Sequence, residues 1–205
     1  VGASALAANT TNGNNTAVGY YALKVSTAGN NTAVGTNAGL VTVAGNYNTF
    51  MGANTAIANT AGFSNSAFGA GALAANTDAD NNTAIGYLAM AANTASGNTA
   101  VGKSAMAANT TGFSNVAMGI SASLVSTIAD KCVSIGADSH LRLTEGDENT
   151  AVGCQAGAYI TTGTQNVMIG QAAGVTDTTL TTGSGNVFVG HSCHGSGVGI
   201  DAEIV

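Results

Sequence analysis

The chain has 205 residues and a formal net charge of −6; only 7% of its residues are charged, whereas 45% are hydrophobic. Disordered segments show the opposite balance, which argues against disorder. Asn, Thr and Gly interrupt every apolar run, so no stretch of about 20 apolar residues is available for a membrane span. An acidic chain also lacks the basic surface that nucleic-acid binding requires.

The first residues, VGASALAANTT, already match the interior of a repeat, and no signal-peptide pattern precedes them. We therefore expect the sequence to be an excerpt from, or a processed part of, something longer. The three cysteines, Cys132, Cys154 and Cys193, are too few and too irregularly spaced for a disulfide framework or a zinc site.

A glycine that follows a large apolar residue recurs along the chain, and we call it the anchor glycine. The anchor glycines are residues 2, 19, 35, 52, 69, 86, 102, 119, 136, 153, 170 and 190. Eight of the eleven intervals are 17 residues, so the chain is one array without a visible domain boundary. We predict a single repeat array over residues 1–190, followed over 191–205 by an irregular last coil or the start of another segment.

Each unit has two halves on either side of its anchor glycine. The first half reads Asn, then Thr, Val or Ser, then usually Ala, then a large apolar residue, as in NTAV at 15 and NTAI at 82. The second is a short apolar run of about six residues, well below the ~12 to 15 that an isolated helix needs. Two strands of about five residues and two turns account for 17 residues better. The pattern predicts an all-β fold, a parallel β-solenoid (β-roll) of about twelve 17-residue coils.

Alternation along a strand places Thr16 and Val18 on one face, and Asn15 and Ala17 on the other. Both faces are apolar, and strands apolar on both sides are covered on both sides. One face can fill the narrow interior of the coil, whereas the other needs a partner. Phe50, Met168 and Phe188 occupy the position that usually holds Ala, where exposure to solvent would be costly. We therefore predict that identical rods pack laterally.

The repeat residues have predicted structural roles. Asn stands four places before nearly every anchor glycine, where stacked side chains can hydrogen-bond along the rod and suit a turn; Cys132 alone interrupts this column. The large apolar residue is expected to be buried, and the glycine to bend the chain. In three representative units these residues are Asn15, Val18, Gly19, Asn31, Val34, Gly35, Asn82, Ile85 and Gly86.

The units NTAVGYYA, NTAIGYLA and NTAVGKSA resemble the head repeats of trimeric autotransporter adhesins. They are still more similar to the NTAVGYxAL arrays of phage tail-fibre proteins, and the resemblance covers Gly2 to about Gly190. It implies a homotrimer of parallel β-rolls, left-handed in the adhesin heads, that forms a rigid stalk or head. The 17-residue period is longer than the adhesin unit, and no heptad coiled coil or membrane anchor is visible, which favours the fibre relatives.

Two groups of residues depart from the repeat. Half of the charged residues lie between 130 and 148, where Asp138, Arg142, Glu145, Asp147 and Glu148 could contact a receptor or a neighbouring subunit. A solvated rim is the alternative, because charge runs usually face water. His191, Cys193 and His194 are types that bind transition metals, although their loose spacing favours an irregular last coil. We predict no metal and no cofactor.

The sequence favours a structural rod of a trimeric viral or phage tail fibre, extracellular on the virion surface, which positions a receptor-binding tip. The expected partners are other copies of the chain, with a host-surface receptor or other fibre proteins as further possibilities; neither nucleic acid nor membrane insertion is expected. Catalysis is not expected, since the remaining histidine, His140, lies within the charged segment and no triad is indicated. Two alternatives remain: the head of a bacterial cell-surface adhesin, and an ice-binding solenoid. The second is disfavoured because Val or Ile beside the recurring Thr is expected to be buried.

Overall fold

The computed structural model describes residues 1–10, 12–175 and 181–195, and in these residues all regular secondary structure is β-strand. Each strand pairs in parallel with the next one along the chain, so that all of them form a single sheet in sequence order. The eleven strands are β1 (Thr16–Val18), β2 (Thr32–Val34), β3 (Thr49–Met51), β4 (Ser66–Phe68), β5 (Thr83–Ile85), β6 (Thr99–Val101), β7 (Val116–Met118), β8 (Val133–Ile135), β9 (Thr150–Val152), β10 (Val167–Ile169) and β11 (Val187–Val189).

This arrangement is a β-solenoid, which confirms the predicted all-β parallel architecture. Equivalent residues of successive repeats lie side by side, as Ala17 does with Ala33, and the register holds even across the 20-residue interval, where Val167 faces Val187. At roughly 4.8 Å per coil, eleven strands span about 48 Å. Of the segment expected to follow the array, residues 196–205 lie outside the described part of the chain.

The predicted second strand of each unit is wrong, because that half of the coil is built from turns. In the coil of Gly19, Tyr21 and Leu23 have φ values of 59° and 47°, which no strand residue adopts. The N–H of Ala22 donates to the carbonyl oxygen of Gly19 at 3.4 Å, and the N–H of Lys24 donates to that of Tyr21 at 3.2 Å. These tight turns direct both Ala22 and Leu23 inward, where both are fully buried.

Left-handed residues other than glycine cost roughly 1–2 kcal/mol each, and neighbouring coils hold them in place. The N–H of Tyr21 donates to the carbonyl oxygen of Ala3 at 3.0 Å, and that of Leu23 donates to Ala38 at 3.0 Å. The anchor glycine has a stricter requirement: at Gly19, φ is 135°, and a Cβ atom would lie 2.5 Å from the carbonyl oxygen of Gly35. Only glycine fits such a stacked corner.

Side-chain volume inside the coil is balanced between two positions. One is the middle residue of each strand and the other is the residue four places after the anchor glycine. Where the strand carries Ala84 or Ala100, the second position of the preceding coil holds Leu73 or Met90; Ala67, which follows the small Ala56, is an exception. Where the strand carries Phe50, the second position in the preceding coil is Gly39, whose Cβ would lie 2.7 Å from the Phe50 ring. The narrow interior is therefore filled by pairing large residues with small ones.

The asparagine column forms the predicted ladder. From Asn15 to Asn166, each Asn Oδ1 of the column accepts a hydrogen bond from the backbone N–H at the equivalent position of the next coil, as Asn31 does from Asn48 at 2.9 Å. Most of the Nδ2 atoms donate to a carbonyl oxygen of the next coil, such as that of Gly45 from Asn31 at 2.8 Å. Asn82 keeps the first bond, from the N–H of Asn98 at 3.0 Å, but its buried Nδ2 lacks a partner. The ladder satisfies a buried corner of the backbone along the rod.

Candidate interaction surface

The outer side of the sheet presents an uninterrupted column of large apolar side chains, one from the last position of each strand. We call this column the strand face. Ile85, Met118 and Val189 leave 41, 43 and 58% of their surface exposed. The column comprises Val18, Val34, Met51, Phe68, Ile85, Val101, Met118, Ile135, Val152, Ile169 and Val189. A contiguous apolar strip of this kind on one side of a chain is typical of an interaction site.

A second outward column, formed by the first residue of each strand, runs beside the strand face. It is Thr or Ser in seven coils and Val in the other four, and most of its members are half-buried. The Thr residues are Thr16, Thr32, Thr49, Thr83, Thr99 and Thr150, with Ser66 as the seventh. Neither column contains a charged residue, so a surface two side chains wide faces outward without charge.

The structure corrects the sequence-based account of which face needs a partner. Phe50, Met168 and Phe188 lie inside the coil and are fully buried by their own chain, so their size gives no reason for self-association. The Val, Ile and Met positions, which were expected to be buried, are instead half-exposed. Any argument for lateral packing therefore depends on the strand face alone.

The charged residues between 130 and 148 do not form one surface. Asp130 and Asp147 stack on one edge, where each carboxylate accepts a backbone N–H from the preceding coil: Phe113 to Asp130 at 2.9 Å and Asp130 to Asp147 at 2.8 Å. Asp138 and Arg142 belong to other parts of their coil, and the Arg142 guanidinium lies 4.7 Å from the centre of the Tyr159 ring. Glu145 is exposed.

A small polar cluster on the first of these edges surrounds Glu148. Its carboxylate accepts a hydrogen bond from Gln165 at 3.1 Å and lies 3.4 Å from the Lys131 ammonium. Both partners lower the pKa of the Glu148 carboxyl, and the hydrogen bond from Gln165 has the larger effect. The shallow depression beside it, about 250 Å³, is lined by Asp147, Glu148, Thr164 and Gln165. Both carboxylates beside this depression therefore have partners within the chain, Asp147 with the N–H of Asp130 and Glu148 with Gln165 and Lys131.

His191, Cys193 and His194 follow the last strand but do not converge on one point. The Cys193 thiol donates to the carbonyl oxygen of Gly190 at 3.3 Å, and His194 Nδ1 lies 3.3 Å from the carbonyl oxygen of Gly195. Within residues 1–10, 12–175 and 181–195, no three His, Cys, Asp or Glu side chains are arranged to hold a metal ion.

A buried polar layer crosses the interior at a place that sequence reasoning missed. Ser123 Oγ and Ser134 Oγ are 2.7 Å apart, and Ser134 Oγ is 2.8 Å from His140 Nδ1. His140 is fully buried, its Nε2 has no partner, and desolvation lowers its pKa to about 3. His140 stands four places after its anchor glycine, the position of Leu73 and Met90, and that alignment was the available signal for an inward side chain. The Ser–His pair is closed to solvent and is therefore unable to meet a substrate.

Cys132 replaces asparagine in the ladder and takes over one of its two bonds. Its thiol donates to the carbonyl oxygen of Gly146 at 3.2 Å, and its backbone N–H donates to Asn115 Oδ1 at 2.8 Å. Burial raises the pKa of the Cys132 thiol to about 11, which keeps it protonated as a donor. The residue therefore serves the ladder, and its thiol is expected to react slowly.

An aromatic cluster near the start of the array was also missed. The rings of Tyr20 and Tyr21 stack with centroids 3.8 Å apart, and the Lys24 ammonium lies 3.9 Å from the Tyr21 centroid. These residues extend from the coil of Gly19. The adjacent tyrosines are evident in the sequence, but the position of Lys24 over the Tyr21 ring follows only from the geometry of the turn.

Comparison with family models, with curated proteins and with solved structures found no match to this chain. A search of the described residues for a helix long and apolar enough to cross a membrane also found none.

Proposed function

We propose that the chain is a structural segment of a trimeric viral or phage tail fibre, a rod that holds a receptor-binding tip away from the virion. The observation that carries this proposal is the strand face, which keeps one large apolar side chain per coil half-exposed along the whole sheet. A rod with such a strip gains free energy by covering it, at roughly 25 cal/mol per Å² of apolar area removed from water. Other copies of the chain supply a surface with the same repeat.

The internal bonding suits a mechanical role. Every described coil is tied to the next by backbone hydrogen bonds, and the asparagine ladder adds further bonds at a buried corner. No coil depends on a distant part of the chain, because solenoid repeats contact only their neighbours. Such a rod is expected to be stiff and resistant to proteases, which is what a fibre shaft requires.

An ice-binding solenoid is a second candidate, because the Thr column beside the strand face is turned outward on a parallel sheet. Rung spacing along such a sheet is regular, at roughly 4.8 Å. Two features make it the weaker proposal: four of the eleven positions in the Thr column are Val, and the strand face includes the bulky Met51, Phe68 and Met118. These side chains break the flat, uniform array that ordered water would need.

The two candidates make opposite demands on the same surface, since a trimer covers it and ice binding requires it to be open. We expect sedimentation of the purified chain to give a trimer. Ile85→Lys should shift the chain toward monomer, because an ammonium in an apolar interface is costly unless it is paired. Ser114→Lys is the matched control, since Lys131 occupies the equivalent exposed position of the next coil.

A stable wild-type monomer would overturn the fibre proposal. If that monomer also caused thermal hysteresis, and Thr83→Lys abolished the effect, the ice-binding candidate would replace it. In the full-length protein, the residues that follow the array would distinguish a fibre tip from the membrane anchor of a bacterial adhesin.

A further inference from the structure

A cyclic trimer requires two different surfaces on each copy. In rings with more than two members, one patch of each copy meets a second, different patch of its neighbour. The strand face supplies one such patch. The proposed trimer, on which this inference rests, therefore needs a second longitudinal patch that repeats once per coil and is free of charge over most of its length.

A further strip with these properties is formed by the fifth and sixth residues after the anchor glycines of residues 2–153. We call it the alanine strip, because in the middle of the rod it consists of Ala74, Ala75, Ala91, Ala92, Ala107 and Ala108. All six are half-buried, and adjacent coils continue the strip with Ile57 and Ala58 on one side, and Leu124 and Val125 on the other. Lys24 and Arg142 are its two charges.

The two patches complement each other in shape. The strand face carries side chains that project from the sheet, whereas alanine leaves the opposite surface low, so that a neighbouring backbone can approach closely. Both patches advance by one position per coil, which keeps them matched along the rod. Packing of large residues on small ones is also how the chain fills its own interior, where Phe50 lies against Gly39.

Charge indicates how the patches align. Asp138 stands three residues after Ile135 of the strand face, and it is the one charge in the column of residues two places after the anchor glycines of the described coils. Arg142 interrupts the alanine strip in that same coil. Neither forms an ion pair within the described part of the chain. Copies related by an axis parallel to the rod lie at the same level, so Asp138 of one copy and Arg142 of the next would meet.

We propose that the strand face of each copy packs on the alanine strip of the next, with Asp138 paired to Arg142 of the neighbouring copy. The pair would fix the axial register, which two uniform apolar strips leave undetermined. A shift of one coil would separate the two charges, because Arg142 would then face Ser121 or Gln155, and Asp138 would face Val125 or Tyr159.

Two experiments test this arrangement. In the first, Ala92→Lys should weaken association roughly a hundredfold by sedimentation, as a buried charge would, while Ser114→Lys leaves it unchanged. If Ala92→Lys leaves the trimer intact although Ile85→Lys disrupts it, the alanine strip is not the second patch.

The second experiment uses Arg142→Lys, which supplies an amine that a carbodiimide can join to the Asp138 carboxylate. Isotope-labelled and unlabelled copies of this variant are refolded together, cross-linked and digested. Cross-linked peptides joining Asp138 to residue 142 should carry mixed labels, and Asp138→Asn should abolish them. A trimer that yields only same-label products, or none, would overturn the pairing and leave the proposed fibre standing, whereas a wild-type monomer removes both.

Discussion

The interior of the rod has two chemically different regions built on one backbone. The first hydrophobic core extends from Ala17 to Ala122 and the second from Ala129 to Phe188. In the first, the buried residue seven places after the anchor glycine is polar, as at Asn59, Asn76 and Asn109, whereas in the second it is Leu143 or Ile160. Strand register does not change between them. The backbone ladder therefore fixes the fold, and the interior accepts different chemistry provided that its volume is filled.

The largest effect is expected where the pairing of a large interior residue with a small one is broken. Phe50→Ala should reduce the free energy of unfolding by about 3–5 kcal/mol, the usual cost of removing a buried phenyl ring. Adding Gly39→Leu should recover part of the loss, because the new side chain enters the space left by the ring. Leucine is compatible with the backbone there, since Leu23 holds the same coil position with φ of 47° and Gly39 has φ of 56°. Urea unfolding of the three chains measures both effects.

Gly39→Leu in the presence of Phe50 is the control, and it should be strongly destabilising because its Cβ alone would lie 2.7 Å from the ring. If Gly39→Leu lowers stability equally with and without Phe50, the two positions do not share one space. The interior around Phe50 would then not be filled by the pairing of large residues with small ones that is seen elsewhere in the rod.

The period, the parallel solenoid and the asparagine ladder could be predicted from sequence because each appears as a repeated residue type. Gly19 and its counterparts reveal the corner, and Asn31 and its counterparts reveal the bonded column. The predicted second strand failed because Tyr21 and Leu23 adopt positive φ against their own preference. Bonds to neighbouring coils and burial impose that conformation, and a single unit of sequence contains neither.

The direction of side chains was harder to predict than the order of the coils. Alternation assigned Val18 and Ala17 to opposite faces correctly but did not say which one was inside. Similarly, His140 was grouped with its charged sequence neighbours, although its place in the repeat is that of Leu73. Position in the coil was a better guide than composition of the surrounding segment.

The second effect is a loss of folding stability in acid. It arises in the buried polar layer of Ser123, Ser134 and His140, which separates the two cores. The folded pKa of His140, about 3, lies below its ordinary value of 6.5, so the fold favours the neutral ring. Stability is therefore full above pH 6.5, falls as the pH drops below it, and stops falling near pH 3. The loss should reach roughly 2 kcal/mol at pH 5. Urea unfolding at pH 8 and pH 5 measures it.

His140→Met isolates this effect, because it retains every carboxylate and leaves Ser123 bonded to Ser134. The variant should lose less stability than the wild type between pH 8 and pH 5. Equal losses of stability in the two chains would show that carboxylates alone set the acid sensitivity. The polar layer would then be no more sensitive to acid than the apolar cores on either side.

The smallest effect is expected at the one break in the asparagine ladder, which lies at the start of the second core. Cys132 offers the backbone N–H of Asn149 only a sulfur, which is a weak acceptor, whereas Asn149 Oδ1 accepts the N–H of Asn166 at 2.9 Å. Cys132→Asn supplies this acceptor and retains a donor for the carbonyl oxygen of Gly146. We expect a gain of about 1 kcal/mol, the net value of one buried hydrogen bond. Cys154→Asn, at an exposed position, is the control and should leave the free energy of unfolding unchanged. A gain in stability confined to residue 132 would show that the break in the ladder limits the stability of the second core. A loss of stability in Cys132→Asn would mean that the surrounding corner is packed to fit sulfur.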